Sequence, residues 1–181
     1  KDAFSGGVDA TVRRWDLEKG TGRVIFSGHT KRVWRVAVHP DGDRAFSASH
    51  DGTIRCWEAT SGREIWKHSG KEVWSWAWLH NGEGVLIPEE DRILLLSART
   101  GKASETWKCE MAVGLPVFAL SPDQKILLSF SDLGDVELWD VGAARRLSLL
   151  QVDEPVTAMA WSGETILIGT SNGSLIQYRA K

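Results

Sequence analysis

The sequence is poor in cysteine, in charge of one sign and in long apolar runs, and each shortage excludes a class of protein. Only Cys56 and Cys109 occur in 181 residues, which is too few for a disulfide framework and favours a reducing, cytoplasmic location. Lysine and arginine number 22 against 24 aspartate and glutamate residues, so the net charge of −2 offers no general attraction to nucleic acid or to an anionic membrane. No apolar stretch approaches about 18 residues, so no membrane partner is expected.

The sequence also lacks the common motifs of metal, cofactor and nucleotide sites. The 5 histidines have no paired spacing with cysteine or with one another that resembles a zinc site. Neither the P-loop pattern nor the dinucleotide pattern G-x-G-x-x-G occurs. We therefore expect no metal, no cofactor and no enzymatic activity.

What the chain does have is a tryptophan-rich repeat. In the stretch SASHDGTIRCWE, residues 47–58, Asp51 stands six positions before Trp57, and SGGVDATVRRWD, residues 5–16, places Asp9 and Trp15 at the same spacing. Later copies end at Trp139 and Tyr178, and a weaker copy has Leu96 in the tryptophan position. The period is near 40 residues, which indicates the blades of a β-propeller.

Each period contains four short runs of strand length, bounded by glycine, proline, aspartate or serine. Apolar residues alternate or run on without a helical spacing, so a helix is a poor explanation. The content of 42% apolar residues and 10 tryptophans is enough to fill a core. The sequence predicts an all-β fold of four-stranded antiparallel blades.

The best copy resembles the WD-repeat β-propeller family, because Gly28-His29, VWRVAVHPDG over residues 33–42 and the 47–58 stretch match the family pattern in residue type and spacing. The resemblance implies one incomplete propeller ring. It divides the chain into a partial blade, two full blades of which the second is degenerate, another full blade, and a terminal blade without its outer strand. Their ranges are 1–26, 22–66, 62–108, 101–150 and 144–181. We expect the chain to be the C-terminal part of a larger protein, with the ring completed by missing repeats or by another chain.

In the family, a histidine, a serine or threonine, an aspartate and a tryptophan form a hydrogen-bonded chain within a blade. Carried over, these are His29, either Ser47 or Ser49, Asp51 and Trp57. Asp9, Trp15 and Trp139 hold matching positions in other copies. Such a chain satisfies four buried polar groups together. A serine hydrolase triad is the alternative, but the serine lacks a G-x-S-x-G elbow.

The resemblance implies binding of a protein partner of unknown identity, as a scaffold or sensor. The candidate contact residues lie in loops before the first strand of a blade and in the adjacent tight turns: Lys31, Arg32, Trp34, His50, Glu72 and Trp74. Strand alternation offers another reading of the tryptophans, since Trp34 shares parity with Val36 and Val38 and would then pack in the core. An assembly or oligomerisation module, and a small-ligand or catalytic site in the propeller channel, are the alternative functions.

Overall fold

A computed structural model describes residues 1–70, 76–79, 82–89, 92–108, 117–130 and 135–179. The chain forms two compact units, Lys1–Val73 with Leu96–Ala103, and Trp74–Leu95 with Ser104–Lys181. Every regular element in the described ranges is a β-strand.

Two sheets lie wholly within the first unit. One has three strands in the order β1-β2-β3, and the other has four in the order β4-β5-β6-β7. Their bounds are β1 Asp2–Gly6, β2 Val12–Asp16, β3 Thr21–Phe26, β4 Val33–Val38, β5 Arg44–Ser49, β6 Thr53–Glu58 and β7 Glu64–Ser69. Within each sheet, each strand pairs antiparallel with the next along the chain.

The remaining strands form three sheets, of four, four and three strands. The third sheet is β8 Ala77–Trp78, β9 Gly84–Glu89, β10 Arg92–Ser97 and β11 Ala103–Lys108; the fourth is β12 Val117–Leu120, β13 Ile126–Phe130, β14 Asp135–Asp140 and β15 Arg145–Gln151; the fifth is β16 Val156–Ser162, β17 Thr165–Thr170 and β18 Leu175–Arg179. The prediction of an all-β fold of four-stranded antiparallel blades is confirmed. The boundaries of the overlapping blades stay a prediction.

The burial of each strand matches its position in the sheet. β5 and β6 are buried along most of their length, as expected for inner strands, whereas the edge strand β3 is largely exposed and carries Arg23. β17 shows the alternation of a half-buried strand, with Ile166 and Ile168 buried and Leu167 partly exposed.

Aromatic residues fill the core of the first unit. Trp57 is fully buried and stacks on Phe26 at 5.8 Å between ring centroids, while Phe4 meets the same indole edge-on at 5.6 Å. Val12, Val33, Ala45 and Ala59 are the other buried members of the cluster. The tryptophan that ends the best repeat is therefore the centre of this core.

Candidate protein-interaction site

Four predicted network residues of the second sheet are brought together in one hydrogen-bonded chain. His29 lies in the loop before β4, Ser47 on β5, Asp51 in the turn after β5, and Trp57 on β6. The Nδ1 atom of His29 lies 2.9 Å from Oδ2 of Asp51, and its Nε2 atom lies 2.7 Å from Oγ of Ser47. Trp57 donates from Nε1 to the same Oγ over 3.3 Å. The chain joins a loop, a turn and two strands.

The pKa shifts of Asp51 and His29 indicate which atom carries the hydrogen in each of these hydrogen bonds. Burial alone would raise the pKa of Asp51, but hydrogen bonds from the Thr53 hydroxyl, the Thr30 backbone N–H and His29 outweigh it and lower the pKa from 3.8 to about 2. Burial also lowers the pKa of His29, although Asp51 opposes the shift. At neutral pH an ionised Asp51 accepts the Nδ1–H of a neutral His29, whose Nε2 then accepts the Ser47 hydroxyl hydrogen.

The structure also distinguishes the two candidate serines. Ser47 is the serine that belongs to the hydrogen-bonded chain with His29. Ser49 instead donates from Oγ to the carbonyl oxygen of Lys31 over 2.8 Å and accepts the backbone N–H of Asp51 over 3.1 Å. Ser49 therefore ties the turn to the loop before β4. Thr53, which sequence reasoning missed, donates to Oδ1 of Asp51 over 2.6 Å.

The arrangement has the atom order of a Ser-His-Asp triad, but its burial opposes that chemistry. Ser47 is 0% exposed, and its oxygen already accepts the indole N–H of Trp57. A nucleophilic serine needs an open approach for a substrate carbonyl and donors for the resulting oxyanion. Ser47 has no such approach. The role of the hydrogen-bonded chain is therefore to stabilise the sheet.

The first sheet holds a shorter version of the same network. Trp15 donates from Nε1 to Oγ of Ser5 over 2.9 Å, and its side chain is partly exposed. Asp9 instead accepts the backbone N–H and the hydroxyl of Thr11 and pairs with Arg13 at 3.3 Å. Asp9 and Trp15 thus belong to separate contacts in this sheet.

In the fourth sheet Trp139 belongs to a network that sequence reasoning missed. Its Nε1 donates to Oγ of Ser129 over 3.2 Å, and that hydroxyl donates to Glu137 over 3.3 Å. The buried Glu137 carboxylate pairs with Arg146 at 2.8 Å. The repeat register could have revealed it, since Ser129 and Glu137 stand as far before Trp139 as Ser47 and Arg55 stand before Trp57. Arg55 pairs with Glu64 at 2.7 Å, so the two sheets use the same positions with opposite charges.

The candidate contact residues of the first unit lie at one end of its sheets. Lys31, Arg32 and His50 are exposed, while Trp34 is half-buried. Trp34 lies at a β-bulge, because Val33 pairs with Ser49 and the next paired residue is Arg35. The alternation along β4 is therefore reset after Val33. Of the two valines that share parity with Trp34, Val36 is half-buried against the core and Val38 is 41% exposed. Glu72 and Trp74 lie outside the described residues.

Backbone hydrogen bonds fix the loops at this end. Val33 donates its N–H to Gly7 over 2.9 Å, and His50 donates its N–H to Arg32 over 3.0 Å. The neighbouring turn presents Val8, which is 81% exposed. We call Val8, Lys31, Arg32 and His50 the turn end of the first unit.

The described residues also lack two other features. Within the described ranges no group of three or more histidine, cysteine, aspartate or glutamate side chains could hold a metal ion. The described part of the chain also has no helix that is long and apolar enough to cross a membrane.

The shifted pKa values predict that stability falls with acid. The unfolded chain binds protons on His29 and Asp51 more readily than the folded chain does. The contribution of His29 to the free energy of unfolding is therefore present above pH 6.5 and is lost below it. The Asp51 contribution is present above pH 3.8 and is lost as the pH falls towards about 2. Urea unfolding of the parent and of His29→Gln across this pH range measures both contributions. In the variant, the free energy of unfolding should no longer fall just below pH 6.5, because the histidine that gains a proton there is absent. Parallel curves for the two proteins would contradict the assignment.

Comparison with known proteins adds to this geometry. The family described as WD domain, G-beta repeat, matches residues 20–58. Eukaryotic translation initiation factor 3 subunit I of Pyricularia oryzae is 27% identical over 176 residues, covering 87% of this chain and 51% of that protein. Pre-mRNA-processing factor 19 of Caenorhabditis elegans is 31% identical over 144 residues, covering 77% of this chain and 29% of that protein.

A third relative is a NACHT domain- and WD repeat-containing protein of Mus musculus, 28% identical over 193 residues, which covers 94% of this chain and 12% of that protein. The chain spans about half the length of the initiation-factor relative and less of the other two. The family match includes all four residues of the hydrogen-bonded network, His29, Ser47, Asp51 and Trp57. The relatives match over most of the sequence. The chain belongs to the WD-repeat family.

Proposed function

We propose that this chain is a non-catalytic protein-interaction module, a scaffold or sensor that presents the turn end of its first unit to a protein partner. One observation carries the proposal: the loop before β4 and the turn after β5 are held by the hydrogen bonds of His29, Asp51 and Ser49, while Lys31, Arg32 and His50 on them are exposed. A loop that is already ordered loses less conformational entropy on binding. The network thus serves the surface by fixing its shape.

The relatives support an interaction role. The name of the fungal relative describes a subunit, a protein that works within an assembly. Another is a pre-mRNA-processing factor, so the relatives take part in different processes, and the cytoplasmic location stays a prediction. Binding of a protein, rather than of nucleic acid, accords with the net charge of −2.

Site-specific photo-cross-linking tests this function. A benzophenone amino acid replaces Val8, which is 81% exposed at the turn end, or Glu18, whose side chain is 82% exposed in the turn between β2 and β3. In an extract of the source organism we expect the Val8 variant to form discrete cross-links with specific proteins, identified by mass spectrometry and suppressed by excess unlabelled chain. The Glu18 variant is the matched control, because it lies at the opposite end of the same sheet. Equal or absent cross-linking from both positions would refute the proposal.

A further inference from the structure

An adjacent pair of cations at the turn end has no counter-ion among the residues that the structure describes. Lys31 and Arg32 are exposed, and their side chains make no ion pair or hydrogen bond within the described residues. Six other cations of the first unit pair with carboxylates: Arg13 with Asp9, Arg14 with Asp2, Lys19 with Asp16, Arg44 with Asp41, Arg55 with Glu64 and Arg63 with Glu58. The positive charge of Lys31 and Arg32 is therefore available to a partner.

The fold does not require cations at this position. The equivalent loop precedes β16 in the fifth sheet, where Val156 starts the strand as Val33 starts β4. There Ser171 donates its N–H to Pro155 over 2.9 Å, as His50 does to Arg32. That loop carries Asp153 and Glu154, which are exposed. Glu154 thus stands at the position of Lys31, and Pro155 stands at that of Arg32. The positive charge of Lys31 and Arg32 is therefore a property of this loop and not of the repeat.

The residues around the pair suit a peptide. Half-buried Trp34 follows in the same segment, and highly exposed Val8 lies in the turn that is bonded to Val33 through Gly7. Arginine and tryptophan supply binding energy out of proportion to their area. A strong nucleic-acid contact engages several phosphates at once, commonly about 6 to 10, whereas this loop offers two adjacent cations.

From these observations we infer that the turn end binds an acidic segment of a partner protein, whose carboxylates pair with Lys31 and Arg32. This inference rests on the proposed interaction function and names the chemistry of its partner. The arginine guanidinium can bind a carboxylate through two parallel hydrogen bonds, and the lysine adds a point charge beside it.

A labelled model peptide tests the inference directly. The probe is a fluorescein-labelled Glu-Gly repeat peptide, titrated with the chain at low salt and followed by fluorescence anisotropy, with a Lys-Gly repeat peptide for comparison. We expect the parent to bind the Glu-Gly probe in preference to the Lys-Gly probe. Binding should weaken as salt is added, because exposed charges are screened over about 10 Å at 0.1 M.

Charge reversal provides the matched variants. Lys31→Glu/Arg32→Glu should weaken binding of the Glu-Gly probe by about tenfold or more, since it places like charges against the peptide. Lys67→Glu/Lys102→Glu gives the same net charge from exposed positions on β7 and before β11, and should leave binding within about twofold of the parent. Circular dichroism and thermal unfolding establish that both variants are folded.

Several outcomes would overturn the inference. They are absence of Glu-Gly binding by the parent, equal losses in the two double variants, and tighter binding of poly(U) RNA than of the Glu-Gly probe. Failure of the proposed function is separate. Suppose that the Val8 variant cross-links a specific protein equally well with and without Lys31→Glu/Arg32→Glu. The proposed interaction function is then supported, and the inference of an acidic partner segment is refuted.

Discussion

Replacing Asp51 with alanine is expected to lower the free energy of unfolding of the first unit by about 2 to 3 kcal/mol. Asp51 accepts hydrogen bonds from His29, from the backbone N–H of Thr30, and from the N–H and hydroxyl of Thr53. Its side chain is only 6% exposed, so water does not replace these bonds without opening the turn. Urea unfolding followed by tryptophan fluorescence measures the loss.

Two further variants make this result specific. Trp57→Phe keeps most of the ring volume and removes the donor to Ser47, so we expect a loss of about 1 kcal/mol. Asp9→Ala changes the same repeat position in the first sheet, where the contacts are exposed, and should cost no more than about 0.5 kcal/mol. Equal losses for Asp9→Ala and Asp51→Ala would show that the buried network is not the cause.

The second large effect is expected for Gly62→Ala, with a loss of about 3 kcal/mol or more. Gly62 lies in the turn between β6 and β7 with a φ of 75° and donates its N–H to Glu58. A β-carbon built there would overlap the backbone carbonyl oxygen of Ile25. The clash is with main chain, so it cannot be relieved by a side-chain rotation.

Gly42→Ala is the control for the backbone conformation alone. Gly42 has a φ of 76°, and a β-carbon there meets no atom within 4 Å. Its substitution should cost about 1 kcal/mol, the penalty of the left-handed conformation. Thermal or urea unfolding of both variants measures the difference, and similar losses would refute the close approach of Gly62 to Ile25.

The repeat made much of the fold predictable. Turn residues and tryptophans recur at a fixed spacing, so the strands and their grouping into antiparallel sheets follow from short-range patterns. The choice between Ser47 and Ser49 did not follow, because both lie on the same face of β5 and only three-dimensional distance to His29 separates them.

Two other features of the site needed the structure for different reasons. Glu137 was overlooked because a glutamate in a strand usually faces solvent, whereas here Arg146 and Ser129 satisfy its buried carboxylate. The half-buried environment of Trp34 needed the structure, because an extra residue in β4 resets the alternation and leaves no clear mark in the sequence.

The bulge at Trp34 has a consequence for how such a repeat can diversify. Thr157 holds the same place in the fifth sheet, since Val156 pairs with Thr170 and the next paired residue is Ala158. In both sheets the residue at this place is outside the ladder, so its identity can change from indole to hydroxyl while the register of the strand is preserved. Mutation at this one position can therefore change the side chain that the sheet presents there without reworking the core, which uncouples the evolution of this surface from the maintenance of the fold.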